Sequence, residues 1–108
     1  MQEVFVDIYA KGLLGTARST PFGEDMVIWT VHGHMFAAYT KGGNGLSLRI
    51  GSDLMAQILV GQKRAVSSPY LKGTGWVLFP WTTPPTELRD WIGRSYRLVL
   101  SDRNAGVP

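Results

Sequence analysis

The stretch Met26-Val27-Ile28-Trp29-Thr30-Val31-His32-Gly33-His34-Met35-Phe36-Ala37-Ala38-Tyr39, followed after a glycine-rich break by Leu46-Ser47-Leu48-Arg49-Ile50, decides the fold. Met26 to Val31 is β-branched and aromatic with few polar residues, the composition of a centrally buried strand. His32-Gly33 then suits a two-residue turn, because Gly33 can adopt positive φ. His34 to Tyr39 returns as a second strand. Lys41-Gly42-Gly43-Asn44-Gly45 is a turn-rich loop, and Leu46 to Ile50 is the third strand. Its alternation places Leu46, Leu48 and Ile50 on the core side, with Ser47 and Arg49 facing out. Such short connections dictate antiparallel pairing, which rules out a doubly wound parallel sheet.

Helices flank this meander. Gln2 to Leu14 carries Val4, Phe5, Ile8, Tyr9 and Leu13 at helical spacing, an expected buried stripe closed by Gly12 and Gly15. Thr16 to Asp25 reads as a loop, from Ser19, Thr20, Pro21 and Gly23. Ser52-Asp53 opens a second helix with a hydroxyl cap and an acid at the positive dipole end. Leu54, Met55, Ile58 and Leu59 are its expected apolar face. Ala65 to Ser68 is a short strand, Pro69 to Gly73 a loop, and Gly75 to Phe79 a strong strand. Thr83 is the expected cap of the last helix, with Pro84 at its first position. Its buried stripe is Leu88, Trp91, Ile92, Ser95 and Val99. Asp90 and Arg94 stand four apart for an ion pair, and the tail after Asp102 is expected to fray. The expectation is one α+β domain, with an antiparallel sheet of about five strands and helices on one face. The order is helix, three strands, helix, two strands, helix.

Composition excludes several classes of function. With 108 residues and no cysteine, the chain has no disulfide framework, no thiolate nucleophile and no cysteine zinc site. Glu3 and Asp7 stand where a signal peptide needs basic residues, and no apolar run is long enough to span a bilayer. A cytoplasmic protein is therefore expected. His32 and His34 lack the third ligand a metal centre needs. Ser47, Ser67 and Ser68 have no nucleophile-elbow pattern around them, and Gly42-Gly43-Asn44-Gly45 lacks the Lys-Ser/Thr of a phosphate loop. No catalytic residues, cofactor or metal are expected.

Three stretches carry a family resemblance. Gly15-Thr16-Ala17-Arg18-Ser19-Thr20-Pro21-Phe22-Gly23, running on into Val27 to Ala37, resembles the "PG…PFG…KVGGKMFA" opening of the MmcQ/YjbR family. Leu46-Ser47-Leu48-Arg49-Ile50 is similar to the family's "LSLK" strand. Pro69-Tyr70-Leu71-Lys72-Gly73-Thr74-Gly75-Trp76-Val77, with Glu87 to Val99, resembles its "P-Y…K…W-V…EEL…I..SY.LV" close. The resemblance runs from about Val4 to Asp102. His32 and His34 depart from the family's small residue and Lys, and Leu14 departs from its Pro. The resemblance implies a CyaY-like α+β fold and a DNA-binding protein, and it implies no reaction. Iron binding does not carry over from the frataxin-like comparison, because this chain has few acids for a hard cation.

Charge is distributed to match. Up to Ala38, Lys11 and Arg18 face four acids, a balance of −2; from Tyr39 onward nine basic residues face four acids, a balance of +5. Arg49, Arg64, Lys72, Arg94 and Arg97 are the expected backbone contacts to DNA, with Lys41 and Lys63 nearby in sequence. Binding of this kind is sequence-tolerant and salt-dependent. Trp29, Trp76 and Trp91 read as core, and Trp81 as partly exposed. A second reading stays open: a small-ligand- or protein-binding module with a cleft near Tyr70, Lys72 and Trp76.

Overall fold

A computed structural model describes residues 2–68 and 75–105. Its elements run α1 (Gln2–Lys11), β1 (Thr16–Ser19), β2 (Met26–Val31), β3 (His34–Thr40), β4 (Gly45–Arg49), α2 (Asp53–Gly61), β5 (Val66–Ser67), β6 (Trp76–Pro80) and α3 (Pro85–Ala105). The strands form one six-stranded antiparallel sheet in the order β1-β2-β3-β4-β6-β5. The fold is thus the α+β sandwich expected, with one strand more.

The meander forms as its sequence dictates. His32 (φ 50°) and Gly33 (φ 84°) make the tight β2–β3 turn. Leu46 and Leu48 point into the core beside Val77 and Phe79 of β6. Gly45 starts β4 because nothing larger fits there. A Cβ at that position would drive into the carbonyl of Phe79 on the paired strand. The register slips between Trp29 and Thr30, and this bulge leaves Phe36 as the extra residue of β3. Ser95 of α3, fully buried, donates to the Phe36 carbonyl at 2.7 Å. The long helix is thereby fixed to the point where the sheet bends.

The extra strand is β1, within the stretch expected to be a loop. Its side chains give no apolar alternation, since only Thr16 is even half-buried. It is a strand because its backbone pairs with β2, from Thr16 opposite Val31 to Ser19 opposite Ile28. Thr16 also ends the first helix early. Its hydroxyl lies 2.8 Å from the carbonyls of both Ala10 and Leu13, so α1 stops at Lys11 and not at Leu14.

The inner face of α1 differs from the expected stripe. Val6 and Ala10 are buried, while Val4 and Ile8 lie exposed. The helix is turned by its acids. Glu3 accepts from the Gly42 amide at 3.0 Å. Asp7 accepts from Trp29 Nε1 and the Tyr39 hydroxyl, each at 2.9 Å, and pairs with Arg18 at 3.3 Å. Two carboxylates satisfied by the sheet and its β3–β4 loop outweigh a valine and an isoleucine left in water.

The second helix is capped by Ser52, whose side chain accepts from Met55 N at 3.0 Å. Only part of its expected apolar face is used. Leu59 is buried and Met55 packs against the core, whereas Leu54 (67%) and Ile58 (43%) are exposed. In α3 the start shifts by one residue: Leu88 N donates to the Pro84 carbonyl, so Pro84 caps and Pro85 leads the helix. The helix runs on to Ala105, beyond the expected fraying point. On the sheet side away from the helices, Ser47 is not solvent-facing. It is buried and bonded to the Ser68 hydroxyl at 2.9 Å, in a cross-strand row with Ile28, Ala38 and Leu78.

Candidate functional site

The predicted basic residues fall into two groups, and one lies outside the described residues. Lys72 is in the 69–74 segment, as is Tyr70, so the cleft expected near Tyr70, Lys72 and Trp76 also falls outside them. Trp76 itself is not core. It is half-buried and points away from the helices, because Val77 and Phe79 on either alternate position point into the core. Arg49 is its cross-strand partner and leaves the same side of the sheet.

Arg64, Arg94 and Arg97 are brought together on the other side. Trp91 organises them. It sits on the inner half of α3, is only 7% exposed, and stacks on Phe79 of β6 with centroids 5.3 Å apart. The Arg94 guanidinium lies over this indole, its Cζ 4.7 Å from the ring centroid. Arg64, in the turn after α2, approaches the same ring at 5.8 Å. One turn farther along α3, Arg97 lines a cleft of about 380 Å³ with Arg94, Ile50, Trp91, Leu98 and Ser101. Arg64 reaches this group because Lys63 (φ 60°) and Gln62 turn the chain sharply out of α2.

The ion pairing differs from the sequence expectation. No Asp90–Arg94 pair forms among the described residues, since Arg94 turns toward the indole three residues before it. Arg64 instead pairs with Glu87 at 3.4 Å, with both side chains well exposed. An exposed pair of this kind is worth about 0–1 kcal/mol and is easily exchanged for another anion. Chemically, the cleft brings together two arginines, a serine and an apolar floor. It suits the oxygens of a phosphate or carboxylate.

A second polar cluster was not expected from the sequence. Asp7, Arg18, Trp29 and Tyr39 converge from α1, β1, β2 and β3. Burial pushes the Tyr39 phenol above its ordinary value, and the Tyr39 side chain is the chief cause of a rise at Arg18. All four groups are mutually satisfied, so the cluster is a tie between α1 and the sheet. Its only sequence signal was an acid inside an apolar stripe. Beside it, Trp81 is half-buried, as expected, with its ring edge-on to Tyr39 at 5.9 Å. The two histidines of the β2–β3 turn are exposed, and among the described residues no three metal-ligating side chains gather. No helix among the described residues is long and apolar enough to cross a membrane.

Comparison with known proteins places this geometry. The family model described as YjbR matches residues 11–98. No curated protein sequence matches the chain. Among solved structures, the crystal structure of the Deinococcus radiodurans protein DR2400, with a domain described as DUF419, is similar. It superposes with a TM-score of 0.74 at 17% identity, over 95% of this chain and 86% of that one. At that identity the likeness is one of fold.

Proposed function

The chain belongs to the YjbR family, and from that premise we propose that it is a non-enzymatic, DNA-binding domain that holds the phosphate backbone at Arg64, Arg94 and Arg97. One observation carries this reading: two guanidiniums share the Trp91 ring, and Arg97 lines the cleft beside it. Cations held by packing lose little freedom when a phosphate arrives, so the site is organised before binding. Lys63, exposed beside Arg64, extends the positive field. Among the described residues nothing near the cleft resembles a helix-turn-helix or another base-reading element, and contacts of this kind position DNA without choosing its sequence.

Fluorescence anisotropy with random-sequence duplex DNA tests the reading. About three phosphate contacts imply a loss of roughly 40-fold in affinity between 50 and 200 mM salt. Absence of binding at the lower salt, or binding that salt does not weaken, would refute it.

A further inference from the structure

We infer that this site recognises phosphates alone and is blind to the bases, so that it binds a sugar-phosphate chain with or without them. The inference rests on the DNA-binding reading above and narrows its ligand. Proteins that hold single strands combine a basic groove with exposed aromatic rings on which bases stack. Here the aromatic ring at the centre of the basic group is already occupied. Phe79 stacks on Trp91, the Arg94 guanidinium lies over it, and Arg64 closes in from farther out. With 7% of its surface exposed, the indole has no face left for a base.

Among the described residues no other ring lines the cleft; Tyr9, whose hydroxyl comes near Arg97 Nη1 across Gly93, is stacked on Phe5 with centroids 6.5 Å apart. The remaining lining residues are Ile50, Leu98 and Ser101 beside the two arginines. Phe22 is the one strongly exposed aromatic among the described residues, and it lies between β1 and β2, at the sheet edge farthest from β6. Trp76 leaves the opposite side of the sheet, and Trp81 packs edge-on against Tyr39 near the start of α1. The arginines have used the aromatic surface to fix themselves. What they present outward is N–H donors, which match phosphate oxygens and not the π-face of a base.

The test compares two labelled single strands of equal length and equal phosphate count, one of ordinary mixed sequence and one built wholly of abasic sugar-phosphate units, by anisotropy at low salt. A duplex of the same sequence is measured alongside. Loss of one stacked base weakens binding by roughly fivefold to more than a hundredfold. The expected result is that the abasic strand binds within about twofold of the ordinary strand. An abasic strand weaker by more than about twofold overturns the inference while leaving DNA binding intact, since even one weakly stacked base costs roughly fivefold. Failure of all three probes to bind overturns the DNA-binding reading and this inference with it.

Discussion

At the residue scale, two carboxylates have opposite roles. Asp7 is the shared acceptor for Trp29 Nε1 and the Tyr39 hydroxyl, on two side chains that are almost wholly buried. Asp7→Ala leaves both donors without their shared acceptor and takes away the ion-pair partner of Arg18. The expected cost is about 2–3 kcal/mol, read as a lower urea midpoint. An unchanged midpoint would mean that the tie is incidental. Glu87 instead competes for the candidate site, because its carboxylate holds Arg64 at 3.4 Å. Glu87→Gln removes a charge a few ångströms from the phosphate position, so DNA affinity should rise by about threefold at low salt. Asp90→Asn is the control. It removes the same charge from the same helix without releasing an arginine, so its gain should be smaller. Equal gains from the two variants would show that net charge alone matters. Both acids are plain in the sequence, yet only the paired strands bring Asp7 to its donors, and only the turn after α2 brings Arg64 to Glu87.

At the element scale, helices were legible as helices but their orientation was not. Periodicity places Val4 and Ile8 of α1, and Leu54 and Ile58 of α2, in the core, and all four are exposed. In α1 the satisfied acids set the rotation. In α2 nearly every position is apolar, so no one face stands out in the pattern. In the strands, alternation put Leu46 and Leu48 on the core side correctly, but it left Ser47 facing out, and in the wholly apolar Trp76 to Phe79 it did not say which face Trp76 leaves from. The strand that was missed, β1, exists through backbone pairing, which leaves no mark on side-chain pattern. Within α3, Gly93 shows how packing and the candidate site meet. A Cβ there would come 3.2 Å from Arg97 Nη1 and 3.4 Å from the Tyr9 hydroxyl, the ends of two movable side chains. Both can yield by a few tenths of an ångström, so the helix-propensity gain should win. Gly93→Ala is expected to stabilise the protein by about 0.5–1 kcal/mol, measured by urea unfolding. A net loss would mean that Arg97 and Tyr9 are held more firmly than their terminal positions imply.

At the scale of the whole molecule, the sheet separates the predicted contacts into two sides. The charge imbalance in the sequence suggested one basic face, but linear order does not tell which side of a sheet a residue leaves from. Arg49 follows Leu48 on β4, and Leu48 faces the helices, so Arg49 emerges opposite them. Arg64, Arg94 and Arg97 lie on the helical side, around Trp91. A domain with principal extents of 38 × 31 × 26 Å is too thick for one short run of phosphates to reach both sides at once. The two groups should therefore be energetically separable. Arg49→Ala is expected to leave DNA affinity within about twofold at low salt, whereas Arg94→Ala with Arg97→Ala should lower it by about tenfold or more and flatten its salt dependence. The reverse pattern would move the binding face to the other side of the sheet, where Arg49 and the half-buried Trp76 stand opposite one another.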